Sequence, residues 1–384
     1  MIFFKKVLIL LTIIIFLIII WKLLLNRINI KKDLEGFSIP FLSSIKDIEL
    51  STNDNSNVKA TIKNANELLY NLPLRELCIK SSYNSACSGT FINLDMLQYV
   101  INRGVRYLDF EIFYIPSTTT NSSKTKVTTF IPVVATSLDT TYVTLNTENS
   151  ILLDNVLSAA ISNAFTSPCP NYNDPLFINL RVKSNNTDVY AAIAASIDNS
   201  IQQKIYNDTT IQVSTSSGNT ISPAKPITNN TLLKDILGKV IISFDKTIFP
   251  NYINYTTTCN KKNSNTCYDL KNYINIENGS QSLNHNFYSL ITKVPLLQIN
   301  DNNITTNIKT LTCVEPDNIY LMNISNLNPK YDDYILKYGG CQIVPYRFYK
   351  NDSNLEDYEK LFSIHNSAFV PLSIAITQYI KEYQ

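Results

Sequence analysis

Residues 104–113 read GVRYLDFEIF, and residues 77–89, a short way before them, read LCIKSSYNSACSG. The β-branched and aromatic residues of the first stretch predict a strand from Tyr107 to Ile115. Asp109 and Glu111 stand at positions i and i+2 of this strand, so both side chains point to one face. A second β-rich run precedes it at Leu77 to Ser81, so the two stretches predict two strands and a shared face with two carboxylates.

Outward from these stretches, β-rich runs alternate with helical patterns. The further strands predicted are Phe130 to Ala135, Leu176 to Val182, Val240 to Phe244, Ile319 to Met322 and Gln342 to Phe348. The helical patterns run from Leu94 to Ile101, closed by Gly104 at C′, from Leu152 to Phe165, and from Val189 to Ile205. Polar insertions interrupt the alternation at 117–129 and 208–230. This order predicts an α/β protein with a parallel sheet covered by helices, most simply closed as a (β/α) barrel.

The same stretches resemble the barrels of phosphoinositide-specific phospholipase C. LCIKSSYNSACSG and GVRYLDFEIF are similar to the family patterns SSHNTYLxG and GCRxxELDxW. Further similar stretches follow in family order: PVV at 132–134, DPLFINLRV at 174–182, DILGKVIISFDK at 235–246 and GGCQIVPYRFYKND at 339–352. The resemblance covers both halves of the family's barrel, and it implies a phospholipase C-like TIM-type (β/α) barrel.

The resemblance also implies a calcium site, which the family builds from an Asn and three carboxylates. Asn84 matches the calcium-binding Asn, and Asp109 and Glu111 occupy the places of two carboxylates with Asp and Glu exchanged. Arg181 stands where the family has a further calcium-binding Glu. This replacement changes the charge of the site by two units and opposes calcium binding, although a guanidinium can itself face a phosphate. Asn84, Asp109 and Glu111 are therefore interpreted as a vestigial calcium site, and Arg181 is a candidate for substrate binding.

The two catalytic histidines that the resemblance implies are replaced. Tyr83 stands in the place of the first, and Thr136 in the place of the second. A Tyr with a pKa near ~10 is a poor proton acceptor at neutral pH, and Thr does not titrate, so acid/base assistance of ~10² to 10⁴ per group is lost. Ser243 and Asp245 occupy the places of two phosphate-binding lysines.

The chain has two histidines, His285 and His365, and neither lies near a matching motif. Both are interpreted as ordinary surface or loop residues. Asp109 and Glu111 have a structural interpretation as well, in which they form an ion pair with Arg181 at the mouth of the barrel.

The N-terminus carries an uncharged run, VLILLTIIIFLIIIW at 7–21, which Leu23 to Leu25 extend past Lys22. This length predicts a transmembrane helix, and a cleaved signal peptide is the competing interpretation. Basic residues flank the run on both sides: Lys5 and Lys6 before it, and Lys22, Arg27, Lys31 and Lys32 in or after its end. More of these basic residues lie on the C-terminal side of the run, so the positive-inside rule slightly favours a single-pass membrane protein whose large domain is cytoplasmic.

The overall composition excludes some classes of partner. Lys+Arg 33 against Asp+Glu 31 gives a net charge of +2, so no nucleic-acid partner is expected. Seven cysteines without a CxxC pair indicate neither a zinc site nor a disulfide framework.

The sequence thus predicts an anchor at 1–32, a polar lead-in at 33–69 and a barrel at 70–384. The expected function is that of a membrane-anchored, catalytically degenerate phospholipase C-like protein, whose cleft binds a phosphate-bearing or lipid headgroup or a protein. An active lipid phosphodiesterase with a non-standard acid/base set is one alternative. A structural membrane or envelope component that reuses the fold is the other.

Overall fold

The computed structural model describes residues 61–120, 126–139, 144–214, 220–256, 269–288, 310–317, 327–336 and 340–382. These residues belong to one compact unit, Ser51–Gln384. Its strands, in chain order, are β1 (Leu77–Ile79), β2 (Ser81–Ser82), β3 (Tyr107–Thr120), β4 (Lys126–Val134), β5 (Ile151–Leu152), β6 (Leu176–Val182), β7 (Val213–Ser214), β8 (Thr220–Ile221), β9 (Val240–Asp245), β10 (Ile276–Asn278), β11 (Leu283–Phe287), β12 (Leu311–Glu315) and β13 (Phe369–Pro371).

The α-helices are α1 (Leu94–Asn102), α2 (Leu153–Ala164), α3 (Val189–Ile201), α4 (Ile253–Thr256), α5 (Tyr331–Leu336), α6 (Ser353–Ile364) and α7 (Leu372–Glu382). Short 3-10 helices lie at Glu67–Leu69, Leu74–Glu76, Gln202–Lys204, Leu233–Ile236 and Leu270–Tyr273.

The centre of the largest sheet is parallel. β6 lies between β3 and β9 and pairs with both in parallel, and β9 pairs in parallel with β10. β6 and β9 are buried along their whole length, as expected for parallel strands covered on both faces. The near-continuous apolar runs at 176–182 and 240–244 are the sequence signature of this position.

The remaining barrel strands continue the parallel order. β11 pairs in parallel with β12, and single parallel bridges then join Cys313 to Ile343 and Ile343 to Ile79. β2 pairs in parallel with β3 and so belongs to the largest sheet. β10 contacts β11 without pairing with it, so the strands follow one another around a barrel with a break in pairing at this point. The antiparallel pair of β1 with β13 joins the two ends of the described chain.

The helices α1, α2 and α3 pack against one another in sequence order. α1 illustrates how local sequence sets their limits. The Asn93 side chain accepts a hydrogen bond from the Asp95 N–H at the start of α1, and Gly104 follows its end with a φ of +82°. Its buried face consists of Met96, Leu97, Val100 and Ile101, at the spacing that the sequence predicts.

Several sequence predictions differ from the structure. The polar insertion at 117–129 belongs in large part to an antiparallel hairpin, because β3 and β4 pair from Ile112 with Val134 out to Thr120 with Lys126. The strands β10, β11 and β12 were not predicted. The predicted strand at Ile319 to Met322 falls outside the described residues, and the one at Gln342 to Phe348 makes isolated bridges only.

The predicted fold class needs a correction at its N-terminal part. The predicted transmembrane helix falls at 7–25, outside the described residues, and none of the helices that the structure describes is both long and apolar enough to cross a membrane. The longest of them, α3, has 13 residues and therefore a length of about 20 Å, against about 30 Å for a hydrocarbon core. The structure supports a mixed α/β fold, and it supports neither the transmembrane helix nor the single-pass membrane localisation. The predicted domain boundaries stay predictions.

Candidate functional site

The candidate site is built on two paired strands at the mouth of the barrel. β3 and β6 pair so that Asp109 lies beside Asn179 and Glu111 lies beside Arg181. Asp109 is 0% exposed and Glu111 is 1% exposed. The i, i+2 spacing on each strand brings these four polar side chains to one side of the sheet, where their charges must be satisfied internally.

Arg181 connects most of the predicted site residues. Its Nε lies 2.8 Å from Asp109 Oδ1 and its Nη2 lies 2.6 Å from Asp109 Oδ2, which is a bidentate pair. Its Nη1 donates to Glu111 Oε1 at 2.9 Å, and its Nη2 also donates to Asn84 Oδ1 at 2.7 Å. The guanidinium carbon lies 4.3 Å from the centre of the Tyr83 ring. The structure therefore contains the ion pair of Arg181 with Asp109 and Glu111 that is the structural interpretation of these residues.

A second cation, Lys183, completes the surroundings of Glu111. Its Nζ lies 3.0 Å from Glu111 Oε2, and the Ser137 N–H donates to the same oxygen at 2.9 Å. Burial alone would raise the pKa of Glu111, but Arg181, Lys183 and the Ser137 N–H together hold that pKa below its usual value. Glu111 is therefore a carboxylate in the folded protein at neutral pH.

Tyr83 and Asn84 reach the site from the turn after β2. Asn84 adopts a φ of +45°, which Asn tolerates better than most residues, and its N–H donates to Asp109 Oδ2 at 3.1 Å. The Tyr83 hydroxyl donates to Glu111 Oε1 at 3.3 Å. Burial raises the pKa of Tyr83 well above its ordinary value, so this hydroxyl does not act as a base near neutral pH.

The structure brings Tyr83, Asn84, Asp109, Glu111 and Arg181 together. Within the described part of the chain, Thr136 makes no hydrogen bond with these residues; it lies in the loop after β4, where its N–H donates to Thr147 Oγ1 at 3.4 Å. The contact with Glu111 comes from the next residue, Ser137. Sequence reasoning did not select Ser137 or Lys183, although Lys183 follows Arg181 at the i+2 position and so shares its side of the strand.

Calcium does not fit the predicted ligand set of Asn84, Asp109 and Glu111. All four carboxylate oxygens of the two acids already accept hydrogen bonds from protein donors, and Arg181 contacts both acids and the Asn84 oxygen. A dication would have to displace a buried guanidinium from a bidentate pair, against charge repulsion.

A second polar cluster lies across Asn179 from the first. The Asn179 Nδ2 donates to Asp109 Oδ1 at 3.0 Å and to Glu315 Oε1 at 2.9 Å. Glu315 Oε2 lies 3.4 Å from His285 Nε2, and potential ligand atoms of Asp245, His285 and Glu315 lie within 4.8 Å of one another.

His285 differs from its sequence interpretation. It lies on β11, and its side chain is only 5% exposed. Hydrogen bonding to Glu315 raises the pKa of His285, although burial opposes the rise. His365, in contrast, is half-buried and lies at the end of α6 with Nε2 3.4 Å from Gln378 Oε1.

Comparison with known proteins supports the fold. No protein-family profile and no curated protein matches this chain. Among solved structures, the chain is similar to PLC21 of L. pealei, with a TM-score of 0.52 and 14% identity over 80% of this chain and 38% of that chain. PLC21 of S. officinalis gives a TM-score of 0.49 and 14% identity over 80% of this chain and 37% of that one. A calcium-dependent phosphoinositol-specific phospholipase C from the Gram-negative bacterium Pseudomonas sp. gives a TM-score of 0.40 and 10% identity over 80% and 97% of the two chains.

The described residues thus have a phospholipase C-like fold, as the sequence resemblance predicts. At 14% identity the likeness to PLC21 of L. pealei concerns the fold alone, and this chain spans only 38% of the length of that protein.

Proposed function

We propose that this chain is a phospholipase C-like protein that has lost calcium-dependent cleavage of phosphodiesters and keeps the barrel mouth as a cleft for a phosphate-bearing headgroup. One observation carries the loss of cleavage: the Arg181 guanidinium lies on Asp109, Glu111 and Asn84, the residues that the resemblance assigns to calcium.

The chemistry of the replaced groups supports the same proposal. A guanidinium neutralises a phosphate, but it cannot bind a hydroxyl as a ligand and lower its pKa as a metal ion does. Neither Tyr83 nor Thr136 supplies a base near neutral pH. The loss of two acid/base groups, each contributing ~10² to 10⁴, removes a large part of the rate acceleration.

Two cations support binding of a phosphate oxygen. Of the five guanidinium N–H groups of Arg181, four donate to Asn84, Asp109 and Glu111. Lys183 Nζ donates to Ser137 O at 2.6 Å and contacts Glu111, and it has three N–H groups. Within the described residues, each cation therefore keeps one N–H for a ligand.

A cleavage assay tests the first half of the proposal. The purified full-length chain is incubated with phosphatidylinositol vesicles, and release of the phosphorylated headgroup is measured with millimolar calcium and with chelator. We expect no release above a heat-denatured control under either condition. Turnover that disappears in both Asp109→Asn and Glu111→Gln would overturn the loss of catalysis.

A binding assay tests the second half. We expect inositol 1-phosphate to raise the Tm of the full-length chain, and we expect Lys183→Met to bind it about tenfold more weakly. Lys239→Met is the matched control, because Lys239 is exposed and precedes β9 at the opposite end of the barrel strands. Equal binding by the two variants, or no binding by the wild type, would contradict a headgroup cleft at Lys183. Binding of a protein, or a structural role, would then be the better explanation of what the barrel does.

One observation favours active phosphodiester hydrolysis as a second candidate function. His285 lies in the barrel with its Nε2 near the buried carboxylate of Glu315, an arrangement that orients an imidazole for general base catalysis. The same vesicle assay separates the two candidates, because an enzyme of this kind would release headgroup without calcium and would lose its activity in His285→Asn.

A further inference from the structure

Three side chains with metal-ligating atoms converge inside the barrel, away from the carboxylates that Arg181 neutralises. Asp245 is the last residue of β9, Glu315 is the last residue of β12, and His285 lies within β11. One potential ligand atom from each lies within 4.8 Å of the other two. Ligands that share one ion at about 2.0–2.3 Å lie within about 4.6 Å of one another, so small side-chain rotations suffice to bind an ion.

Unpartnered oxygens surround this cluster. Asn278 Oδ1, Asn179 Oδ1 and Ser243 Oγ are fully buried and have no hydrogen-bond partner among the described residues. Both amide nitrogens donate to Glu315 Oε1, at 3.3 Å from Asn278 and 2.9 Å from Asn179, so the two amide groups lie against the cluster. A buried oxygen without a partner is unfavourable, and a bound cation with its water would supply the missing partners.

The local charge also favours a cation. Asp109, Glu111, Asp245 and Glu315 are four buried acids, and Arg181 and Lys183 pair with the first two. The acids left over are Asp245 and Glu315, and His285 is the only basic side chain within 4 Å of either of them among the described residues. When a metal binds, the two acids act as carboxylates and His285 as a neutral imidazole, and the charge of these three ligands balances a single dication.

Hydrogen bonds to one carboxylate oxygen of Asp245 hold its side chain in a position suitable for binding a metal ion. Its Oδ1 accepts hydrogen bonds from the Thr247 N–H at 2.8 Å and from the Thr247 hydroxyl at 2.6 Å. Its Oδ2 has no hydrogen-bond partner in the described part of the chain. Hydrogen bonds to the other oxygens of a ligating carboxylate are typical of the surroundings of metal sites, and Asn179 and Asn278 hold Glu315 in the same way.

We propose that Asp245, His285 and Glu315 bind one divalent transition-metal ion of the manganese-to-zinc class, with the Asn278 amide oxygen as a further ligand or as a partner of a bound water. One imidazole with two carboxylates suits these ions better than calcium or magnesium, which prefer oxygen ligands alone. The remaining coordination positions are open to water or to a phosphate oxygen. The site differs from the calcium set implied by the resemblance, and it does not depend on the proposed loss of catalysis.

Metal binding to the untagged full-length chain tests the proposal. The protein is stripped with chelator, and binding of Mn²⁺ and Zn²⁺ is measured by titration calorimetry and by metal analysis after gel filtration. We expect one equivalent of bound metal, with no competition from millimolar calcium. Substituting Co²⁺ should give visible absorption bands whose position and intensity depend on the ligands, and His285→Asn, which removes the nitrogen ligand, should shift or abolish these bands.

Variants assign the metal to this cluster. We expect Asp245→Asn, His285→Asn and Glu315→Gln each to weaken binding at least 100-fold, and Asn278→Ala to weaken it about tenfold. His365→Asn, the other histidine of the chain, is the matched control and should bind like the wild type. Asn278→Ala leaves every charged residue in place, so it also provides a test if the charge variants fold poorly. Absence of stoichiometric metal in the wild type, or binding that none of the four variants weakens, would overturn the site.

Discussion

Arg181 determines what the buried carboxylates beside it can bind. A cation fixed in the chain already satisfies Asp109 and Glu111, and the bidentate pair leaves no oxygen of Asp109 free for a metal. The same residue that prevents calcium binding therefore stabilises the fold, because without it Asp109 would be buried with no counter-charge and Glu111 would keep Lys183 alone.

Arg181→Glu should convert this ion pair into a calcium site. The variant has three carboxylates and the Asn84 amide oxygen at one point, which are suitable ligands for calcium. In chelator we expect it to be about 3–5 kcal/mol less stable than the wild type, because the buried charges lose their partner. Millimolar calcium should raise its Tm by several degrees and leave the wild-type Tm unchanged. Lys239→Glu, at an exposed position, is the surface control. A calcium shift of equal size in the wild type or in this control would contradict the prediction.

A second buried ion pair involves three residues far apart in sequence. Lys80 Nζ lies 3.0 Å from Glu359 Oε1, and Arg103 Nε and Nη2 donate to the same carboxylate. The Lys80 side chain is 0% exposed and that of Glu359 is 2% exposed. Burial alone would raise the pKa of Glu359, but the two cations hold it below its ordinary value.

Glu359→Gln should cost about 3–5 kcal/mol at pH 7, because it leaves two buried cations without a counter-charge. The folded pKa of Glu359 lies below the unfolded value of ~4.3, so its contribution is present above that pH and is lost as the pH falls through the folded pKa. The stability difference between variant and wild type should therefore shrink below pH ~4. Urea unfolding at pH 7 and pH 3.5 measures both effects. Glu356→Gln, on the exposed side of the same helix, should change stability by less than about 1 kcal/mol.

The sequence predicted the polar cluster around Arg181, but it did not predict the cluster of Asp245, His285 and Glu315. Asp109 and Glu111 lie on a strand with a clear apolar pattern, so their common side followed from spacing alone, and the family resemblance placed Arg181 beside them. His285 and Glu315 lie on β11 and β12, with the sequences LNHNF and LTCVE, which show no clear alternation of apolar and polar residues. Without a predicted strand, nothing placed these two side chains beside Asp245.

At the scale of single elements, the end of α1 depends on Gly104. Its φ of +82° is a conformation that L side chains rarely adopt, and a Cβ there would lie 2.5 Å from the Ile62 Cγ2 atom. The close approach lets the segment that contains Ile62 pack directly on the turn after α1.

Gly104→Ala should destabilise the protein by more than the cost of its φ alone. The left-handed conformation costs about 1–2 kcal/mol, and displacing the buried Ile62 should add about 1–3 kcal/mol. Gly238→Ala is the matched control, because Gly238 also has a positive φ, +66°, but a Cβ there would meet no atom within 4 Å. Denaturant unfolding of both variants separates the two contributions. Equal losses would show that the Ile62 contact contributes nothing.

Element prediction was most accurate where apolar residues follow a clear period. The strands at 176–182 and 240–244 and the helices α1, α2 and α3 follow from their patterns. The outer half of the hairpin of β3 with β4 was missed because it is rich in Thr, Ser and Lys, which resemble a loop in polarity. Thr is β-branched and suits a strand, so β propensity rather than hydrophobicity was the informative signal there.

At the scale of the whole molecule, β1 and β13 join opposite ends of the described chain. Ile79 lies opposite Phe369, and the Phe369 side chain is fully buried in a cluster with Leu77 and Ile343. The barrel therefore depends on a strand that is formed by the last residues before α7.

Phe369→Ala should cost about 3–5 kcal/mol, because it leaves a cavity where the two ends of the chain meet. We expect a single cooperative transition at a lower Tm in circular dichroism, since one core connects both ends. Ile374→Ala, five residues later and 43% exposed, is the control and should cost less than about 1 kcal/mol. A variant in which only a local segment melts early would contradict the dependence of the barrel on this strand.

The buried contact between Lys80 and Glu359 spans 279 residues of sequence, and it has a consequence for biosynthesis. At 5–20 residues per second, a ribosome needs roughly 15 to 55 s to add Glu359 after Lys80. During that interval the nascent β1 has no antiparallel partner, and the barrel cannot close around its polar interior. Unpaired strand edges in such an intermediate favour aggregation, so the yield of folded protein should depend on holding chaperones and on slow, cool expression.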